Sequence, residues 1–364
     1  MSELPLVHLT GTPFERGRQH GVALSDRIAS NVDLYRTRMR LDAQLSDADL
    51  AERTHLYLDV FTTLSADYRA TMEGIAAGSG QSLDDITMLN ARFELLYSAW
   101  SARGTTASEC TGFAAGADIT ADGEVLIGQN WDWFPAVAGG LLSWQDDGLK
   151  VLAYTEAGIA GAKIGVNSAG IGLCVNGLGC DADDWKRGGM PYHLRTNRIL
   201  NSAKMTAALS HATLDAPSCS ANFLIGSATE GVVNVESSPV GARRILPEPG
   251  RVYVHANHFT TADELGVTQQ FRSRPITTFH RAERLTTLLN DGDKLTADKV
   301  TASLRDHDGG ELGLCRHPMD YKPEHLRTHT AFSALLHLAE GRMSYTDGPP
   351  CESTYTDVVL SDVS

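Results

Sequence analysis

The spacing of apolar residues changes at Cys110 from a helical to a strand-like interval, and no other feature constrains the fold of this chain as strongly. Upstream of Cys110, apolar residues recur at helical intervals behind residues that cap helix N-termini. These patterns predict one helix behind the capping box at Thr12, a second behind Ser46 and a third behind Ser82. The first hundred residues are therefore expected to form a helical region.

Downstream of Cys110, the pattern is typical of strands. It first predicts a hairpin of residues 111–119 and 124–129 that turns at residues 121–123. The later elements are predicted as hairpins 161–166 with 171–175 and 222–225 with 232–235, a strand at 251–256, and helices at 277–289 and 330–338. Helices on both sides of a set of antiparallel hairpins favour an α+β layered fold. Because no long linker interrupts the chain, we expect one domain over residues 1–364.

The balance of charges excludes some classes of function. Lys and Arg total 31 and Asp and Glu total 45, which gives a net charge of −14, whereas nucleic acids and anionic membranes attract basic proteins. No apolar run approaches the roughly 18 residues of a membrane-spanning helix, and the N-terminus lacks the basic and apolar parts of a signal peptide. We therefore expect a cytoplasmic protein with no nucleic-acid or membrane partner.

Six cysteines are spread along the chain, at positions 110, 174, 180, 219, 315 and 351, and none forms a Cys-x-x-Cys pair. This spacing is typical of free thiols and not of a disulfide framework or a structural zinc site. His193 and His317 have no partner at metal-ligand spacing, and the acidic run at 181–184 lacks the pattern of a calcium loop. The sequence therefore predicts no metal and no bound cofactor.

Cys110 stands where a small, polar segment at 101–108 meets the first predicted strand, and three interpretations of it are open. It can be a packed thiol without chemistry. It can be the nucleophile of a cysteine–histidine enzyme, because the chain has 13 histidines, although no papain-like or caspase-like signature surrounds a cysteine. It can also use its own α-amino group as the base, which requires cleavage of the bond between Glu109 and Cys110.

Two blocks of sequence resemble a known family. Cys-Thr-Gly-Phe-Ala at 110–114 and Gly-Gln-Asn-Trp-Asp-Trp-Phe at 128–134 are similar to the acyl-coenzyme A:6-aminopenicillanic acid acyltransferase (isopenicillin N acyltransferase) family of self-processing N-terminal nucleophile hydrolases, the C45 peptidases. Weaker similarities cover nearly the whole chain, at 220–225, 236–239, 255–259, 278–285 and 348–351. The resemblance implies a four-layer αββα sandwich that is cut into a helical fragment, 1–109, and a catalytic fragment, 110–364.

The resemblance also implies roles for single residues. Cys110 is the nucleophile, Asp132 is the carboxylate that holds its freed ammonium group, and Asn222 donates to the developing oxyanion. Arg281 is expected to bind a substrate carboxylate or to pair with Asp132.

Residues beside these positions are expected to contact the substrate or to affect cleavage. Trp133 and Phe134 are placed to line an acyl pocket, and Thr111 offers a hydroxyl group next to the nucleophile. Glu109 stands where the penicillin enzyme has glycine, and Gly112 replaces a threonine. Because glutamate adopts a strained turn less readily than glycine, Glu109 favours slower self-cleavage.

The resemblance therefore implies a self-processing cysteine amidohydrolase or acyltransferase. We expect it to act on a carbon–nitrogen amide bond of a small N-acyl amine, N-acyl amino acid or peptide, through an acyl thioester on Cys110. Its two fragments are expected to stay together as a heterodimer. Three alternatives remain open, namely an acyl-CoA-dependent N-acyltransferase of the same fold, a catalytically silent binding relative that does not cleave itself, and an uncut cysteine–histidine enzyme.

Overall fold

A computed structural model describes residues 4–103, 110–214, 216–270 and 276–362 of the protein. Its helices are α1 (Pro13–Ala23), α2 (Ser25–Leu41), α3 (Asp47–Leu64), α4 (Ala66–Ser79), α5 (Leu83–Asn90), α6 (Arg92–Ser101), α7 (Tyr192–Leu200), α8 (Met205–Thr213), α9 (Ala262–Leu265), α10 (Ile276–Leu289) and α11 (Ala297–Leu304). Its strands are β1 (Leu6–Leu9), β2 (Thr111–Ala115), β3 (Leu126–Trp133), β4 (Gly139–Asp146), β5 (Leu149–Glu156), β6 (Ile164–Asn167), β7 (Ile171–Gly177), β8 (Ala221–Ser227), β9 (Gly231–Ser238), β10 (Gly241–Ile245), β11 (Tyr253–His255), β12 (His329–His337), β13 (Arg342–Asp347) and β14 (Thr356–Val359). None of the helices in these ranges is long and apolar enough to cross a bilayer.

The helical region begins where the capping residues predict. The side chains of Thr12, Ser46 and Ser82 each accept a hydrogen bond from the backbone N–H three residues further on, at 3.4, 3.1 and 3.1 Å. These contacts satisfy backbone donors that a helix start leaves unpaired. The predicted starts of α1, α3 and α5 are therefore confirmed, and the third predicted helix, which ran through Leu96, is divided into α5 and α6. Helices α2 and α4 have no counterpart among the predicted elements.

The strands form two sheets. An eight-stranded sheet has the order β1-β4-β5-β6-β7-β8-β9-β10, and a six-stranded sheet has the order β11-β2-β3-β12-β13-β14. Neighbouring strands are antiparallel except for the parallel pair of β1 and β4. The predicted hairpins are present, but β2 ends at residue 115 and β3 continues to residue 133. This longer β3 carries Asp132 into the middle of the molecule.

The two sheets pack face to face between layers of helices. Gln129 of β3 reaches across to β7, where its amide donates to the Val175 carbonyl at 3.1 Å and accepts from the Val175 N–H at 2.6 Å. Helices α7 and α8 cover the outer face of the eight-stranded sheet. On the other side, Leu285 and Leu289 of α10 pack with Phe113 of β2 in a buried apolar cluster. The predicted four-layer αββα sandwich is therefore confirmed.

One predicted element is wrong. Residues 330–338 were expected to form a helix, but residues 329–337 form β12, which lies between β3 and β13. Eight of its nine residues are buried because both faces of this central strand are covered. Such a strand has no alternation of apolar and polar residues, so its sequence cannot be told from that of a buried helix.

Candidate active site

Cys110 lies immediately before β2, a strand in the interior of the six-stranded sheet, and only 2% of its surface is exposed. Its backbone N–H donates to Oδ1 of Asn257 at 2.6 Å. Its carbonyl oxygen accepts from Nη1 of Arg281, also at 2.6 Å. The main chain of the candidate nucleophile is thus fixed on both sides. Glu109, the other residue of the expected cleavage site, lies outside the described residues.

Arg281 projects from α10 and is completely buried. Besides the Cys110 carbonyl, its guanidinium donates to Oγ1 of Thr111 at 2.6 Å and to Oδ1 of Asn257 at 3.1 Å. The planar fork of an arginine suits such divergent acceptors. The structure therefore places Arg281 beside Cys110, where its hydrogen bonds hold the segment of the candidate nucleophile together, and its expected pairing with a substrate carboxylate or with Asp132 stays a prediction. The hydroxyl of Thr111, predicted to contact substrate, is one of the acceptors.

Asn257 follows β11 and belongs to the site, although it was absent from the predicted site residues. Its backbone N–H donates to Oγ1 of Thr278 at 2.7 Å, and its Nδ2 donates to the Gly177 carbonyl at 3.1 Å. Its Oδ1 is thereby turned towards Cys110 and Arg281. The signal was present, because Asn257 lies within the 255–259 block of family similarity, but an asparagine after a strand is also typical of a plain turn.

A buried contact between a histidine and a carboxylate supports the loop that carries Asn257. Nε2 of His255 lies 2.8 Å from Oε1 of Glu236, and the backbone and hydroxyl groups of Thr260 and Thr261 donate to the same carboxylate at 2.6 to 2.9 Å. Burial raises the pKa of Glu236, but the hydrogen bond and charge of His255 and the threonine donors outweigh it and lower the pKa to about 2. Two blocks of family similarity thus meet at this carboxylate.

We expect Glu236 to stabilise the folded protein above about pH 4.5 and to lose this effect as the pH falls towards 2, because its pKa is lowered on folding. Glu236→Gln should cost about 3 kcal/mol of unfolding free energy at pH 7, since each pKa unit corresponds to about 1.4 kcal/mol. The difference between wild type and variant should shrink at pH 3.5. Urea unfolding at both pH values measures it, and a difference that does not depend on pH would contradict the ionised role.

Asp132 is fully buried on β3, and its Oδ1 accepts from the hydroxyl of Thr330 at 2.7 Å. Burial and the Asp132 charge raise the pKa of the Cys110 thiol to about 12, against the opposing effects of the Asp132 backbone N–H, Arg281 and Lys163. The thiol is therefore protonated at neutral pH and needs a base. The structure therefore brings the Asp132 carboxylate close enough to Cys110 for its charge to raise the pKa of the thiol.

Asn222 lies on β8 directly opposite Asn176 of β7, and both side chains are buried. Nδ2 of Asn222 donates to Oδ1 of Asn176 at 3.1 Å. Within the described residues, Oδ1 of Asn222 and Nδ2 of Asn176 have no hydrogen-bond partner. The asparagine that contacts Cys110 in these ranges is Asn257, and the oxyanion role of Asn222 stays a prediction.

A small cavity adjoins Cys110, with a volume of about 10 Å³. Trp133 lines it, and the indole N–H of this residue donates to the hydroxyl of Tyr35 at 2.6 Å. Phe134, the other predicted pocket residue, packs instead under Arg38, whose guanidinium lies 3.7 Å from the ring centre. Because 10 Å³ holds about one water, an acyl group can enter only if lining side chains move.

A buried cluster of charges stands at the same cavity. The carboxylate of Glu156, at the end of β5, binds Arg92, Lys163 and the hydroxyl of Tyr35. Burial raises the pKa of Glu156, but the two cations lower it to about 2. Burial lowers the pKa of Lys163 to about 7 although Glu156 raises it, and its ammonium group lies 3.2 Å from the ring centre of Trp131. The cavity is therefore walled by cations and aromatic rings.

His317 has no partner at metal-ligand spacing along the sequence, but the fold brings three possible ligand residues beside it. Nε2 of His317 lies 3.0 Å from Nε2 of His307, 3.2 Å from Sγ of Cys351 and 3.8 Å from Sγ of Cys315. The spacing along the chain concealed this group, because the loop after α11 and the loop after β13 meet only in the folded protein. The six cysteines are free, as predicted.

Residues 119–350 match the family model described as "AAT: Acyl-coenzyme A:6-aminopenicillanic acid acyl-transferase". The chain belongs to this family. The acyl-coenzyme A:6-aminopenicillanic-acid-acyltransferase 40 kDa form of Emericella nidulans is 30% identical over 339 residues, covering 91% of this chain and 89% of the relative. The predicted family and the predicted enzyme class, hydrolase or N-acyltransferase, are thereby confirmed. The family match begins after Cys110, so the assignment of the nucleophile remains a prediction.

Two solved structures show weaker likeness. A variant of conjugated bile acid hydrolase from Clostridium perfringens has a TM-score of 0.48 at 13% identity, over 70% of this chain and 93% of that one. The N-acylethanolamine-hydrolyzing acid amidase ortholog of Caenorhabditis elegans has a TM-score of 0.47 at 13% identity, over 63% and 93%.

Proposed function

We propose that this protein is a cysteine amidohydrolase or acyltransferase that activates itself by cutting the bond between Glu109 and Cys110. The Cys110 thiol attacks the Glu109 carbonyl carbon, the peptide C–N bond breaks, and the released nitrogen takes the thiol proton. Water then opens the thioester, which frees the Glu109 carboxylate and restores the thiol. The products, residues 1–109 and 110–364, remain associated as one folded unit, because the core clusters contain residues of both.

The main support for this proposal is the hydrogen bond that the Cys110 backbone nitrogen makes. Oδ1 of Asn257 accepts from that nitrogen at 2.6 Å, so the same oxygen would hold the new α-amino group after cleavage. An α-amino group has a pKa of about 7.7 to 8.0, which suits a base at neutral pH. The charged groups with the largest effects on the thiol are Asp132, Arg281 and Lys163, and none of them is a histidine. This favours the α-amino group over a cysteine–histidine pair.

In the proposed reaction, Cys110 attacks the carbonyl carbon of a substrate amide while its α-amino group takes the thiol proton. That proton then goes to the leaving amine, and an acyl thioester remains on Cys110. Water or a second amine attacks the thioester and releases an acid or a new amide. The amide N–H groups of the Asn222 and Asn176 pair are the donors that we propose for the oxyanion.

The substrates that we propose are small N-acyl amines, N-acyl amino acids or peptide-like amides. Lys163 and Arg92 at the wall of the cavity beside Cys110 support an anionic group in the substrate. The same cations support acyl-CoA as the donor in the alternative transferase reaction. We also propose a cytoplasmic location, where thiols stay reduced.

A trapping experiment tests the proposal. The protein is incubated with a panel of N-acyl amino acids, quenched in acid, and the mass of the fragment 110–364 is measured. We expect the fragment to carry one acyl group that hydroxylamine removes, because a thioester reacts with this nucleophile. Self-cleavage without acylation by any amide or acyl-CoA would point to a different substrate. If the protein neither cuts itself nor becomes acylated, the result would support the silent relative.

Replacing Asn257 by alanine should slow self-cleavage about 100-fold or more, because it removes the acceptor of the Cys110 N–H and one anchor of Arg281. The measurement is the fraction of cut chain over time after purification at low temperature. Asn290→Ala, which removes an asparagine that binds Val252 far from Cys110, is the matched control. Equal cleavage rates in Asn257→Ala and wild type would contradict the role of this amide.

A further inference from the structure

We propose that His307, Cys315, His317 and Cys351 form a binding site for a single zinc ion. One ligand atom from each residue can be chosen so that all four lie within 4.8 Å of one another. Zn²⁺ prefers four ligands of this kind, at about 2.0 to 2.1 Å from nitrogen and about 2.3 Å from sulfur. In a tetrahedron these lengths separate the ligand atoms by about 3.3 to 3.8 Å.

The observed distances are close to that arrangement. Nε2 of His317 lies 3.0 Å from Nε2 of His307, 3.2 Å from Sγ of Cys351 and 3.8 Å from Sγ of Cys315. Two thiols and two imidazoles are a donor set that favours Zn²⁺ over Mg²⁺ or Ca²⁺, which prefer oxygen. These three distances differ from tetrahedral separations by a few tenths of an ångström, and all four atoms lie within 4.8 Å of one another.

An outer contact supports the assignment. Nδ1 of His317 lies 3.1 Å from Oε1 of Glu352, the residue after Cys351. A carboxylate at this nitrogen favours the tautomer in which Nδ1 carries the proton and Nε2 keeps its lone pair for a metal. Carboxylate–histidine pairs of this kind are usual around zinc ligands. The pair therefore orients the imidazole as a metal ligand requires.

The surroundings indicate a structural role. Cys315 is buried, whereas Cys351 is exposed, so the site lies at the edge of the fold and joins two loops. The backbone N–H of Arg316 donates to Oγ1 of Thr330 at 2.9 Å, and Thr330 in turn donates to Asp132. Zinc bound to Cys315 and His317 would hold in place the backbone at Arg316, which donates to Thr330. This site goes beyond the proposed reaction and involves no substrate.

Metal analysis of the intact protein tests the proposal. The full chain is purified without a metal-affinity step and in the presence of a reductant. Its zinc content is then measured by inductively coupled plasma mass spectrometry. We expect close to one zinc per chain. After chelation, added Co²⁺ should give the visible bands of a tetrahedral site and a near-ultraviolet thiolate band. No zinc in the purified protein and no such bands with Co²⁺ would overturn the proposal.

Three variants test whether these four side chains are the zinc ligands. Cys351→Ser changes an exposed ligand and should abolish the thiolate band or weaken it strongly. Glu352→Gln should lower zinc affinity about 10- to 100-fold, as expected for an outer partner. His55→Gln, at an exposed histidine outside the cluster, should leave zinc content unchanged. A Co²⁺ spectrum that Cys351→Ser does not alter, or a Cys315–Cys351 disulfide that persists in the presence of zinc and reductant, would overturn the assignment.

Discussion

Cys110→Ala is expected to leave one uncut chain of 39.2 kDa and to reduce amide hydrolysis or acyl transfer by about 1000-fold or more. The reason is that one sulfur atom performs both self-cleavage and substrate attack in the proposed mechanism. The measurement is the mass of the denatured protein, wild type beside variant, followed by turnover on any substrate that acylates the wild type. Wild type should give fragments 1–109 and 110–364.

A matched control distinguishes loss of chemistry from loss of packing. Cys174 is a buried thiol of β7 whose pKa is raised by burial alone, so Cys174→Ala removes the same atom away from the site. This variant should cut itself and turn over as wild type does. If wild type stays a single chain after long incubation but hydrolyses amides, the uncut cysteine–histidine enzyme is correct. If it neither cuts nor hydrolyses, the silent relative is correct.

Glu156→Gln is expected to lower the free energy of unfolding by about 3 to 5 kcal/mol, which is typical when one partner of a buried ion pair is removed. Arg92 and Lys163 are 3% and 2% exposed at their side chains, so the variant would leave the Arg92 charge buried without its counter-ion and would lower the pKa of Lys163 further. Urea unfolding in a Cys110→Ala background measures this change, because that background keeps the protein a single chain. The same variant should also disturb the cavity at Cys110, which Lys163 lines.

Two further variants make this result specific. Glu248→Gln changes an exposed carboxylate with a weak ion pair and should alter stability by less than about 0.5 kcal/mol. The double change Glu156→Gln with Lys163→Met removes both partners of one buried contact and should cost less than the sum of the two single changes. Additive effects, or a loss below about 1 kcal/mol for Glu156→Gln, would show that the cluster does not stabilise the fold.

The sequence correctly located the helices and hairpins whose ends are set by residues close together in the chain. The capping patterns at Thr12 and Ser82 marked helix starts because they act over three residues, and the turn at 121–123 marked a hairpin for the same reason. The strand β12 was mistaken for a helix because both of its faces are covered by other parts of the chain. Nothing in the sequence of residues 330–338 indicates that both faces of the strand are buried.

The same division holds for the site. The blocks 110–114 and 128–134 singled out Cys110 and Asp132 through family similarity, and the structure places Asp132 where its charge raises the pKa of the thiol. Asn257 was missed because a hydrogen bond to the Cys110 backbone joins residues 147 positions apart. Arg281 was singled out by the same similarity, but its hydrogen bonds to the Cys110 carbonyl and to Thr111 were not foreseen, since they depend on how α10 packs on β2.

The sequence by itself determined the helical and strand regions, the family and the candidate nucleophile, because these depend on short-range periodicity and on blocks of neighbouring residues. Only the tertiary structure decided which distant side chains surround Cys110, how Glu156 gathers two buried cations, and that His307 and His317 meet two cysteines. These contacts form when loops and sheet layers from separate parts of the chain pack together. Packing of that kind leaves no mark in the spacing of residues along the sequence.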